Sequence, residues 1–169
     1  ARAMAFLSAQ TDLGPRAPGT AGHDAGLLYL VETLRTLVDT VETMRFQPLD
    51  SHGRRLPPMA NIVGRIRPEA RPRYLLCAHW DTRPRADRDP DVGRRDDPIL
   101  GANDGASGVA VLLEVASVLR EHPPSVGVDI VLFDGEDWGE EGSLEDYFLG
   151  SREYASRYWG PPPELGLLV

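Results

Sequence analysis

Two apolar runs, at 73–80 and 126–133, are too continuous for strands with one wet face. A strand half-exposed to solvent alternates apolar with polar residues, whereas one covered on both faces does not. Between these runs, 105–121 carries Val109, Leu112, Leu113, Ala116 and Leu119 at helical spacing. Val111, Val115 and Val118 make its other side apolar too, so this helix is expected to be covered on most sides. Strand, helix and buried strand in succession predict an α/β fold: a mostly parallel mixed sheet with helices on both faces. The stripe Leu27, Leu30, Val31, Leu34 and Leu37 predicts an earlier amphipathic helix. Segments 41–49 and 59–66 read as strands, the second ended by Arg67-Pro68. A helix is expected over 151–158, stopped by Gly160-Pro161-Pro162-Pro163, with a further apolar run at 165–169. At 169 residues the chain is expected to form a single α/β domain over 1–169.

In sheets of this kind, sites form at the carboxyl ends of the strands. There the chain places Asp134-Gly135-Glu136-Asp137, directly after an apolar run. Adjacent carboxylates repel unless a cation or a proton sits between them. His79-Trp80-Asp81 ends the other long strand, and Asp104 precedes the central helix. Taken alone, Asp104 reads as a helix cap and His79 as a strand-end histidine. Their convergence with Glu136 and Asp137 on one sheet edge makes a hydrolytic type of metal site credible. Asp81, two residues after His79, is positioned to orient the imidazole.

Other features constrain less. A net charge of −8 argues against nucleic acid as a partner, since phosphate binding needs a basic face. No apolar run is long enough to cross a bilayer as a helix. Cys77, the only cysteine, lies within an apolar strand and reads as a small buried hydrophobe. His23, His52 and His122 have no such converging partners and read as surface or structural residues. The loop at 81–100 is charged and mostly solvated in this reading. The loop at 138–149, with Glu140, Glu141, Glu145 and Asp146 among Trp138, Tyr147 and Phe148, follows the acidic pair and could wall a pocket.

Three segments carry a resemblance: Leu76-Cys77-Ala78-His79-Trp80-Asp81-Thr82-Arg83-Pro84, Ile99-Leu100-Gly101-Ala102-Asn103-Asp104-Gly105-Ala106-Ser107-Gly108, and Leu132-Phe133-Asp134-Gly135-Glu136-Asp137. Together they resemble the glutaminyl-peptide cyclotransferases, particularly bacterial glutaminyl cyclases of the animal type, within the zinc aminopeptidase superfamily. Gln10-Thr11-Asp12-Leu13-Gly14-Pro15-Arg16 and Pro18-Gly19 are similar to that family's N-terminal segment, and the similarity runs from about Phe6 onward.

The resemblance implies one zinc ion, with Asp104 and Asp137 as ligands and Glu136 as general acid/base. His79 becomes a ligand only where a second metal binds, and Asp81 supports it. The implied substrate is a peptide or protein with N-terminal glutamine, and the implied location is periplasmic or secreted. A two-zinc aminopeptidase is the alternative. Against it, aminopeptidases of the superfamily follow the acidic pair almost at once with Gly-Ser, whereas here Gly150-Ser151 comes only after 138–149. The family also takes a histidine zinc ligand from its C-terminal part, and no histidine follows His122. The chain is therefore expected to be the N-terminal portion of a longer catalytic domain, with the C-terminal part of the fold missing. A catalytically incomplete module, acting only in binding or structure, is a third reading.

Overall fold

The computed structural model describes all residues except Ala1, 141–143, Trp159 and Pro161. Glu141 of the acidic loop and Pro161 of the proline stop thus lie outside the described residues. The elements are α1 (Arg2–Thr11), α2 (Ala21–Leu37), β1 (Thr40–Phe46), β2 (Met59–Ile66), β3 (Arg73–His79), α3 (Ala106–Glu121), β4 (Gly127–Phe133), α4 (Leu149–Arg157) and β5 (Leu165–Leu168). Helix α2 begins earlier than its apolar stripe because Thr20 caps it, its Oγ1 accepting from the amide of His23 at 3.2 Å. Strand β1 stops at Phe46, just short of Pro48, which lacks the N–H a ladder needs. Helix α1 was not anticipated. Its one buried residue is Gln10, and long-range contacts hold it: Arg2 pairs with Glu114 and Glu121, and Gln10 Nε2 donates to the carbonyl of Ala106 at 3.1 Å.

The five strands form one mixed sheet in the order β1-β2-β4-β3-β5. Its pairings divide evenly: β1–β2 and β2–β4 are antiparallel, β3–β4 and β3–β5 parallel. Along β4 the side chains alternate between two buried layers, which explains why its sequence is apolar except for Asp129, a buried residue paired with Arg73. Ile130 and Leu132 face α2 and α3, with Leu30, Leu34, Ile62, Leu112 and Leu113 around them. Val131 and Phe133 face the other side with Val63, Cys77 and Tyr154 of α4. Helices thus cover both faces, as expected. Helix α3 is covered less fully than its composition predicts. Contacts with α1 fall on the side carrying Ala106, Glu114 and Glu121, and Val111 and Val118 remain 45% and 43% exposed.

Buried polar groups lock the strand tips together. The amide of Trp80 donates to the carbonyl of Phe133 at 2.9 Å, continuing the β3–β4 pairing past both strands. Beyond it, the fully buried Asp81 carboxylate accepts from the amides of Glu136 (3.1 Å) and Asp137 (3.3 Å). On the opposite flank, Asp134 accepts from the amide of Ala60 at 2.6 Å and contacts His23 Nε2 at 2.9 Å, while its own amide donates to Asn61 Oδ1. Burial pushes the Asp134 pKa up to about 6 against the opposing pull of His23. His23 is therefore structural, stacked on Trp80 with ring centroids 4.5 Å apart.

Arg16 is buried beneath the same edge. Its guanidinium donates to the carbonyls of Trp80, Gln10, Leu100 and Gly101 at 3.0–3.3 Å. One side chain thereby joins the end of α1, the tip of β3 and the loop that leads to Asp104. Burial lowers its pKa, opposed by the charge of Asp81. Replacing Arg16 with Met leaves several buried carbonyls without donors, so a loss on the order of 3 kcal/mol in unfolding free energy is expected. Denaturant titration checks this, and a change below about 1 kcal/mol would contradict the clamp. For Asp81→Asn, one amide N–H meets an NH2 group instead of an oxygen. The expected cost is about 1–3 kcal/mol, with faster amide exchange at Glu136 and Asp137 than at central β4 residues.

Candidate metal centre

The carboxyl ends of β3 and β4 bring His79 and the acidic pair to one edge, and the loop before α3 delivers Asp104 to the same place. Asp104 is not the cap of α3: Gly105 occupies that position with φ +93, and the Asp104 carboxylate turns toward His79 instead. Gly105 is required by close approach as well as by its dihedral. A Cβ there would lie 2.7 Å from the Asp81 carbonyl and 3.3 Å from His79 Cε1.

His79 Nε2 stands 2.9 Å from Asp104 Oδ1, and its Nδ1 lies 3.5 Å from Asp81 Oδ1, too far for a well-formed hydrogen bond. Burial opposes a charge on this imidazole. The hydrogen bond to Asp104 and the charges of Asp81 and Glu136 outweigh that opposition, and its pKa rises to about 11. The Asp104 pKa falls correspondingly, chiefly through its bond to His79. Glu136 moves upward, first because it is half-buried and then because Asp81, Asp104 and Asp137 surround it with negative charge. Burial also raises Asp137; Asp104 adds to the rise and Arg83 opposes it. The edge therefore holds an excess of carboxylate over cationic charge, a field that favours a bound cation.

Arg83 is the functional candidate that the sequence reading passed over, having placed it in a solvated charged loop. It is buried, and its Nη1 donates to Asp137 Oδ1 at 3.2 Å, while Asp87 pairs with its other edge. Asp81 and Thr82 at the start of that loop are also buried and 84–87 are half-buried, while Asp91 through Pro98 are exposed as expected. The loop at 138–149 closes on itself directly beside the acidic pair. Phe148 N donates to Glu136 O at 3.0 Å and Leu149 N to Gly135 O at 3.1 Å. Cys77 is buried and burial raises its thiol pKa, in keeping with a packing role. His52 and His122 are exposed.

The residues suit zinc by donor type, imidazole nitrogen and carboxylate oxygen, and by their surplus of negative charge. They do not amount to a complete ligand set. Among the described residues, no group of three or more His, Cys, Asp or Glu is arranged to hold a metal ion. His79 and Asp104 are bonded to each other, and Asp137 is turned to Arg83. A cleft of about 230 Å³ beside His79 and Asp104 runs along the first turns of α3 to Val169.

Comparison with known proteins agrees with this architecture. Residues 61–167 match the model of peptidase family M28. The chain is 30% identical over 149 residues to the glutaminyl-peptide cyclotransferase of Drosophila melanogaster, covering 85% of this chain and 39% of that protein. The crystal structure of Porphyromonas gingivalis glutaminyl cyclase superposes with a TM-score of 0.92 at 42% identity, covering 99% of this chain and 59% of that one. A leucine aminopeptidase precursor from Bacteroides thetaiotaomicron also superposes at 0.92, with 38% identity over 99% of this chain and 60% of that one. The chain thus spans 39% to 60% of the length of these relatives. The match over most of its sheet, together with the shared fold, shows that the chain belongs to peptidase family M28.

Proposed function

We propose that the full-length protein cyclises N-terminal glutaminyl residues of peptides to pyroglutamate, with release of ammonia. The observation that carries this reading is the closed excursion between the acidic pair and Gly150-Ser151, tied at its neck to Gly135 and Glu136. The similarity to proteins named glutaminyl cyclases supports it. Asp104 and Asp137 would hold one zinc ion, with a further ligand expected from sequence that the longer relatives carry beyond the matched portion. Zinc bound there would supply a Lewis acid that polarises the side-chain amide carbonyl of the substrate.

Glu136 has the environment of a proton shuttle. Burial and neighbouring carboxylates raise its pKa, bringing its basicity closer to what proton transfer near neutrality requires. In this reading its carboxylate accepts a proton from the α-amine as that nitrogen attacks the side-chain amide carbon. It then returns the proton to the departing nitrogen, so that the C–N amide bond breaks and ammonia leaves. Both reacting groups belong to one residue, so orientation contributes more than an external nucleophile would. Asp81 holds the Glu136 and Asp137 amides, and with them the direction of the shuttle. His79, between Asp81 and Asp104, stays beside the site in the one-zinc reading.

The 2.9 Å contact between His79 and Asp104 favours a second reading, a two-zinc aminopeptidase in which both side chains would serve as ligands and the metals would activate water. The similarity to an aminopeptidase precursor supports it. Export to the periplasm or exterior is proposed by analogy with the family. Among the described residues, no helix is long and apolar enough to cross a membrane.

Incubating the full-length protein with Gln-initiated and Leu-initiated peptides separates the two readings. Loss of ammonia from the Gln-peptide, abolished by a chelator, is expected; release of free leucine would favour the aminopeptidase. Glu136→Gln is expected to lower kcat at least ~1,000-fold while the protein retains its zinc. Near wild-type turnover in that variant would remove Glu136 from the chemistry.

A further inference from the structure

Two residues at the end of the 138–149 loop are held in a conformation that they do not favour. Asp146 and Phe148 both lie in the left-handed region, at φ +63 and +59, although each carries a Cβ. Contacts at both ends keep them there. The Asp146 carboxylate accepts from Ser51 N at 2.7 Å and from Ser51 Oγ at 2.9 Å, and Phe148 N donates to the carbonyl of Glu136. The residue between them is Tyr147, and this backbone carries its ring inward over Gly139. A Cβ at position 139 would lie 2.1 Å from Tyr147 Cδ2 and 2.2 Å from Cε2, so only glycine leaves room for the ring.

The Tyr147 hydroxyl reaches Arg83 Nη1 at 2.8 Å. That same nitrogen donates to Asp137 Oδ1 at 3.2 Å and approaches the Asp137 carbonyl at 3.4 Å. Arg83 does not need Tyr147 to remain charged or paired, because Asp87 takes its Nε and Nη2. The hydroxyl instead fixes where Nη1 points, and Nη1 fixes one oxygen of Asp137. The guanidinium also lies 5.5 Å from the centre of the tyrosine ring, which restricts it further.

We propose that Tyr147, acting through Arg83, is a positioning residue for the Asp137 carboxylate. One Asp137 oxygen is committed to Arg83, and the other is left for a cation. This inference rests on the reading of Asp137 as a zinc ligand. It adds that Tyr147 and Gly139 of the 138–149 loop contribute to metal affinity. Groups that orient a ligating carboxylate typically change metal affinity by about 10–100-fold when removed.

The test is zinc affinity of the full-length protein, measured by chelator competition with zinc alone as the probe. Tyr147→Phe keeps every charge and removes only the hydroxyl; Gly139→Ala keeps the hydroxyl and displaces the ring. Each is expected to weaken zinc binding about tenfold, and the double variant is expected to be no weaker than either single one, since both break the same link. Lower melting temperatures with zinc affinity within about twofold of wild type would show that Tyr147 only packs, and would overturn the inference. Should Gly139→Ala fail to fold, Tyr147→Phe alone decides. Asp104→Asn and Asp137→Asn separate the two levels. If both leave zinc affinity unchanged, the ligand reading falls and the inference with it. If both weaken it strongly while Tyr147→Phe does not, only the inference falls.

Discussion

The candidate site depends on one buried carboxylate, that of Asp81. It lies just past β3 and accepts the amides of two residues just past β4, so it holds the two strand tips together beyond the last β3–β4 hydrogen bond, from Trp80 N to Phe133 O. An ionised group so buried is costly unless its lone pairs are occupied. Those two amides, with Arg16 and His79 nearby, supply the compensation. The Asp137 carboxylate turns to Arg83, and Glu136 stays half-buried among neighbouring carboxylates. Asp134 performs the matching task on the β2 side, where it is braced by Ala60, Asn61 and His23. The turn bearing the acidic pair is therefore gripped from both flanks by buried aspartates, and it has little freedom to relax the repulsion between its own charges.

That constraint explains the electrostatics. Carboxylates free to move would separate or bind solvent; here they stay within reach of one imidazole and one guanidinium. The imidazole responds by holding its proton far above the usual range, and the half-buried carboxyls respond by titrating higher than usual. The surrounding negative charge raises all three, while burial adds to the rise of the carboxyls and opposes that of the imidazole. A divalent cation would relieve that charge more completely than a proton can. This is the physical reason for proposing metal chemistry here.

Most elements were legible in the sequence because their signals are local. The mostly apolar runs of β3 and β4 and the spacing of Leu30, Val31 and Leu34 reflect burial that each segment undergoes in any α/β sheet. The strand order was not legible: β4 inserts between β2 and β3, a choice made by non-local packing. Nor was α1, whose attachment depends on Arg2 and Gln10 reaching residues about a hundred positions away. At the site, His79, Asp81, Asp104, Glu136 and Asp137 stood out because adjacent or strand-end charges are costly without a purpose. Arg83 and Arg16 did not, since charge in a loop is ordinarily solvated, and only the fold shows these two buried. His23 carried no local hint of Asp134, its partner more than a hundred residues away.

The most direct measurement is anomalous diffraction at the zinc edge from crystals of the full-length protein. A peak is expected in contact with the carboxylates of Asp104 and Asp137, with Glu136 beside it and free of the metal. A peak placed elsewhere on the molecule, or crystals in excess zinc with no peak near these residues, would contradict it.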